Sequence, residues 1–276
     1  MRVVSLACSN TEIVCALGCE DLLVGVDDHS DFPPAVVGRL PRLGPDLTPD
    51  IERVAALEPD LVLATLTVPG HEKVIELLEA ARLPYIAPEP VSLDDVFRDV
   101  EDIGARLGVP ERAREVTAAM RRELDAAPRV DYDSDRPKIL VQWWPKPVIA
   151  PGRLSWVDDL IARAGGANPL GGENVKSRPI SDDELREIDP AAIVLSWCGV
   201  PFAKYRPDVV YDNPAWRSVS AIAGRQVHCV PEAFLGRPSP RLLDGFRALR
   251  EVVESVRATR ATRLRPSEPT TTSTPR

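Results

Sequence analysis

The chain has 276 residues, of which 44% are hydrophobic and 28% charged, a balance that sustains a buried core without disulfide or metal staples. Acidic residues outnumber basic ones, 42 to 34, and the net charge of −8 argues against a broad nucleic-acid-binding surface. Proline is abundant, 28 residues against 16 glycines, so the chain carries many fixed breaks between elements.

Val3–Ala7 reads as a strand, and Ser9-Asn10-Thr11-Glu12 as a capping box that starts a helix through Leu17, with Gly18 as C-cap. Leu22–Val26 is a second strand. Thr48-Pro49-Asp50 opens a helix through Leu57 with proline in its first turn. A strand at Asp60–Ala64, a helix at His71–Ala81 and a short strand at Tyr85–Ala87 follow. This alternation predicts a parallel sheet covered by helices. From Ser92 the pattern turns helical for over thirty residues, interrupted at Gly108-Val109-Pro110. The alternation then restarts: strand Lys138–Gln142, helices Trp156–Ala164 and Asp182–Ile188, strands Ala192–Ser196 and Gln226–Val230, and a closing helix Pro240–Val256. The polar stretch from Thr259 reads as a disordered tail. Both halves share one junction: Leu57-Glu58-Pro59 and Ile188-Asp189-Pro190 each stop a helix and launch an apolar strand.

In open parallel α/β sheets, ligands bind beyond the carboxyl ends of the strands. The residues predicted there are Cys8, then Asp28 and His29, then Thr67 and His71, then Glu89. In the second half they are Trp143, Trp144, Trp197, Cys198, Glu232, Phe234 and Arg237. Aromatic walls with a few polar groups suit a bulky organic ligand in a cleft. Arg178 and Arg237, with Lys204-Tyr205-Arg206, form a basic cluster suited to a carboxylate or phosphate. Cys8 sits where a helix N-terminus lowers a thiol pKa. No two His or Cys residues have the local spacing of a metal motif, and the phosphate-loop, dinucleotide, zincin and GxSxG signatures are absent.

These residues resemble the cobalamin and iron-siderophore substrate-binding proteins of ABC transporters, most closely the cobalamin-binding branch. The resemblance rests on Arg2–Glu12, on Leu23-Val24-Gly25-Val26 followed by Ser30-Asp31-Phe32-Pro33-Pro34, on Ile51–Ala64, and on Arg237-Pro238-Ser239-Pro240-Arg241. It implies an α/β fold of two Rossmann-like lobes with mostly parallel sheets, joined by a long rigid helix, with the ligand cleft between the lobes. On this basis the N-terminal lobe is 1–92, the helical linker 93–127, the C-terminal lobe 128–258 and the tail 259–276. The resemblance also implies a docking carboxylate on each lobe for permease arginines, at Glu72 and at Asp183 or Glu184.

The expected function is non-enzymatic binding of a corrinoid such as cobalamin, by a monomer with no catalytic cofactor and no bound metal of its own. Two alternatives stand beside it. One is a ferric-siderophore, haem or other metal-chelate binder. The other is a cytoplasmic enzyme using Cys8 or Cys198 with His29 or His71. Met1-Arg2 runs directly into a short strand, and the five cysteines are an odd number. Both features predict a cytoplasmic protein with free thiols, working with an ABC permease only if exported.

Overall fold

A computed structural model describes residues 1–126 and 136–264. The N-terminal lobe runs β1 (Val3–Ser5), α1 (Cys8–Ala16), β2 (Leu23–Val26), α2 (Pro34–Val37), α3 (Ile51–Ala56), β3 (Leu61–Leu63), α4 (His71–Ala80) and β4 (Tyr85–Ile86). Its four strands form one parallel sheet in the order β2-β1-β3-β4. Two helices follow, α5 (Leu93–Arg106) and α6 (Pro110–Ala126). The C-terminal lobe then runs β5 (Ile139–Gln142), β6 (Trp144–Pro145), β7 (Val148–Pro151), α7 (Trp156–Arg163), β8 (Ser177–Ile180), α8 (Asp182–Ile188), β9 (Ala192–Leu195), α9 (Asp208–Tyr211), α10 (Ser220–Ala223), β10 (Val227–Cys229), α11 (Glu232–Leu235) and α12 (Leu242–Leu264). Here a parallel sheet β10-β9-β5 is joined by a small antiparallel sheet β6-β7-β8.

Several local expectations change. Ser9 does not cap α1: the cap position is Ala7, without a side-chain hydrogen bond, and Glu12 is buried instead. Asp50, not Thr48, caps α3, accepting from the Arg53 amide. The antiparallel sheet escaped the sequence pattern because its strands are short and proline-bearing. The closing helix extends to Leu264, so 259–264 is helical rather than part of a tail, and 265–276 lies outside the described residues.

The connector is a pair of packed helices rather than one. Gly108, at φ +81°, makes the turn between them. Gly104 allows the close approach, since a Cβ there would lie 2.4 Å from that of Ala113. Ser92 caps α5 through the Asp95 amide. The apolar stripe of α5 is divided between two cores. Leu93, Val96 and Phe97 pack with β5, α7 and α12, while Val100, Ile103 and Leu107 pack with β1, α1 and β3. The helix is therefore a spine common to both lobes. The two proline junctions also match: Glu58 and Asp189 both adopt left-handed backbone, at φ 47° and 45°, ahead of buried Pro59 and Pro190.

A buried ionic cluster completes the join. Glu12 on α1 accepts from Arg237 at 3.0 Å, from Arg241 at 2.8 Å and from the Ser239 hydroxyl at 2.5 Å. Arg237 also donates to Asp31 of the N-terminal lobe at 2.6 Å and to Glu232 at 3.2 Å. Arg241 lies 4.2 Å over the Phe32 ring and 5.0 Å over that of Phe234. Glu12 and Arg237 are only 4% and 8% exposed. Burial raises the Glu12 pKa, against the lowering pull of Ser239, Arg237 and Arg241.

Removing one partner of a buried ion pair leaves the other uncompensated. Arg237→Met is expected to destabilise the fold by roughly 3 kcal/mol in urea unfolding. Adding Glu12→Gln to that variant recovers part of the loss, because the two sites share one network.

Candidate functional site

Between the lobes lies a cleft of about 270 Å³. The N-terminal lobe contributes Thr67, Val68, Pro69 and Pro90, from the loops after β3 and β4. The C-terminal lobe contributes an apolar wall of Trp143, Trp144, Ile149, Leu154 and Trp156. Ser155, Lys176, Ser177, Cys198 and Gly236 complete it. The local sequence explains the placement. Trp143 and Trp144 follow β5, and the Trp143 amide is tied to the Ile149 carbonyl at 2.8 Å. Trp144, 41% exposed, stands at the start of the antiparallel sheet. Trp156 is the first residue of α7, capped by Ser155, and its indole N–H donates to the Leu235 carbonyl at 2.7 Å.

Of the residues expected at the ligand, Thr67, Trp143, Trp144 and Cys198 line this cleft. Others are engaged elsewhere. Trp197 is buried in the C-terminal core, where its indole N–H donates to Gln142 at 3.2 Å. Tyr205 packs on it with ring centroids 5.2 Å apart and donates its hydroxyl to the Trp197 carbonyl. Both lie in the core because the polar edge of each ring finds a protein partner there. Arg178 is held by two carboxylates, Glu173 and Glu184, so its guanidinium is committed within the protein. Arg237 and Glu232 belong to the interlobe ion cluster. Phe234 packs against the C-terminal core.

The histidines are also occupied. Asp46, absent from the sequence expectations, accepts from or pairs with both rings: His71 Nε2 at 3.4 Å and His29 Nε2 at 3.5 Å. The Val68 amide donates to His71 Nδ1 at 3.3 Å, tying the buried ring to the cleft loop. Burial alone would raise the Asp46 carboxyl, but the His71 hydrogen bond and the nearby His29 hold it below the ordinary carboxylate value. Asp28 lies exposed in the turn after β2.

Neither thiol is activated. Burial raises the Cys8 pKa well above its usual value; Arg237 pulls it down, while Glu232, Asp27 and Glu12 push it further up. The helix N-terminus does not win at that position. Cys198 is exposed as a residue, yet desolvation around its sulfur and the nearby Glu232 push its pKa up to about 12. No group of three or more His, Cys, Asp or Glu side chains suited to a metal ion occurs among the described residues.

Glu72 is exposed at the start of α4, where backbone amides, including that of Gly70 at 2.8 Å, hold its carboxyl low. Asp183, at the start of α8, is exposed and paired with Arg186. Glu184 is gripped through both oxygens by Arg178.

The profile of periplasmic binding proteins matches residues 3–233. The chain belongs to this family. It is a binding protein rather than an enzyme. It is 27% identical over 250 residues to the vitamin B12-binding protein of Vibrio cholerae, covering 88% of this chain and 85% of that one. It is 25% identical over 263 residues to an ABC transporter substrate-binding lipoprotein of Bacillus subtilis, covering 91% and 79%. Among solved structures, a periplasmic heme-binding protein of Pseudomonas aeruginosa superposes with a TM-score of 0.75 at 28% identity, covering 91% and 92%. These matches correct the expected location. The family is periplasmic and the Bacillus relative is a lipoprotein, so kinship points outside the cytoplasm. Free cysteines and a short N-terminus were weak grounds for a cytoplasmic assignment, since buried thiols behave as small hydrophobes in any compartment.

Asp46 contributes stability that is present above its unfolded pKa, near 4, and lost as pH falls through its lower folded value. Asp46→Asn is expected to lower the melting temperature at pH 7 and to flatten the acid limb of a stability–pH profile. The Cys198 thiol is exposed, but with its pKa pushed up to about 12 it is expected to react only slowly with iodoacetamide at pH 7.5, read by intact mass.

Proposed function

We propose that the chain is the ligand-capturing component of an ABC transporter and that its ligand is a corrinoid, held in the interlobe cleft. The observation that carries this reading is the three-tryptophan wall, Trp143, Trp144 and Trp156, facing Val68, Pro69 and Pro90 across the lobe boundary. Flat apolar walls of this kind suit the faces of a macrocycle. Among the described residues the wall holds no histidine or tyrosine, and its one thiol is protonated at neutral pH. Haem iron takes an axial His, Tyr, Met or thiolate from its protein. A corrinoid brings axial ligands of its own and needs none. The likeness to the Vibrio B12-binding protein supports the same choice.

A cleft of about 270 Å³ is small for a macrocycle, against ~300–1,000 Å³ for ordinary ligand pockets. Entry therefore requires the lobes to part about the spine, and the ligand holds them further open. Glu72 and Asp183, exposed on opposite lobes, are the carboxylates available to permease arginines. Haem is the second reading, favoured by the likeness to the Pseudomonas protein.

Titration calorimetry with cobinamide is expected to show binding, weakened about tenfold or more by Trp143→Ala or Trp144→Ala. No heat at large ligand excess, together with a haem absorbance band on adding haemin, would replace the corrinoid reading with the second one.

A further inference from the structure

A single formal charge stands in the wall of the cleft. Lys176, just before β8, carries the only ionised side chain among the described lining residues, the thiol of Cys198 being protonated. Its ammonium crosses to the other lobe. It donates to Glu89 at 2.6 Å and to the Leu66 carbonyl at 3.4 Å. Glu89 adjoins Pro90, and Leu66 adjoins Thr67, both of which line the cleft. The contact thus bridges the two lobes beside the cleft, through the loops that carry Thr67 and Pro90.

The character of this bridge differs from that of the deeper join. Glu12 and Arg237 have side chains only 2% and 10% exposed. Lys176 and Glu89 are 46% and 53% exposed in their side chains. Such pairs are weak and screened by salt, so an incoming anion can displace Glu89 from the ammonium at little cost. The backbone around Lys176 is nevertheless fixed, because its carbonyl accepts from the Gly152 amide at 3.0 Å and no side chain other than hydrogen fits at Gly152. A half-exposed ammonium on a hydrogen-bonded backbone, beside an apolar wall that offers no other charge, is suited to an acidic group at the edge of a ligand.

The geometry points to Lys176 as a specificity-determining residue that takes a carboxylate on the rim of the bound macrocycle, with Glu89 as the internal competitor for its ammonium. This rests on the macrocycle reading of the cleft. Ligand entry exchanges one ion pair for another, and neutral macrocycles lack the second pair.

The test uses two pairs of probes that differ mainly in charge: cobyric acid against cobinamide, and haemin against haemin dimethyl ester. Affinities are measured for the full chain and for Lys176→Met, Lys176→Arg and Glu89→Gln. In the pair that binds, the wild type is expected to favour the acid, and the preference falls with added salt. Lys176→Met lowers the acid-to-neutral ratio about tenfold, Lys176→Arg keeps most of it, and Glu89→Gln raises it several-fold. If the wild type binds a macrocycle and the ratio is the same in all four proteins, this inference falls while the macrocycle reading stands. If the wild type binds none of the probes, both fall.

Discussion

Glu12 has almost no contact with water, and the groups that satisfy it all come from the other lobe. That constraint organises the molecule. A buried carboxylate without partners is expensive, so α1 must face Arg237, Ser239 and Arg241. Arg237 in turn needs Asp31 and Glu232, which sets the loop after β2 against the start of α11. Together with the divided stripe of α5, the cluster defines how the two sheets sit with respect to each other. The cleft is the space left over on the side where the lobes are not joined so firmly.

Two kinds of ion pair therefore serve two purposes across one boundary. The deep cluster is centred on Glu12 and Arg237, both of which have poor access to solvent, so salt screens their pairing little. The Lys176–Glu89 pair beside the cleft is solvated and exchangeable. A binding protein needs both properties, a stable relation between lobes and an entrance that yields. The Asp46–His71 pair adds a third element by fixing the loop that carries Val68 and Pro69. The polar residues around the cleft hold the walls in place, while the walls themselves are apolar.

The repeat of strand and helix was readable because the hydrophobic periodicity of each element is local. The Pro59 and Pro190 junctions were readable for the same reason, and both proved to carry the same left-handed backbone. The small antiparallel sheet was not, since its short strands owe their conformation to pairing with each other and not to propensity. Among the site residues, Trp143 and Trp144 could be placed beyond a strand end by counting. Trp197 follows a strand end in the same way, yet it turns into the core, because Gln142 on the neighbouring strand offers its indole a partner. Trp156 and Lys176 carry no mark in the sequence that distinguishes them from an ordinary helix start and an ordinary surface lysine.

The α/β class, the two similar halves, the helical connector and the family resemblance are legible from the chain alone, because all depend on residues close together in it. The pairing of Glu12 with Arg237, the Asp46 link between two histidines, the desolvation that raises the Cys8 thiol, and the Lys176–Glu89 bridge arise only on folding. Each of these depends on burial or on a partner more than fifteen positions away. The starting balance of 42 acidic against 34 basic residues hints at none of them, because net charge says nothing of which carboxylate meets which cation.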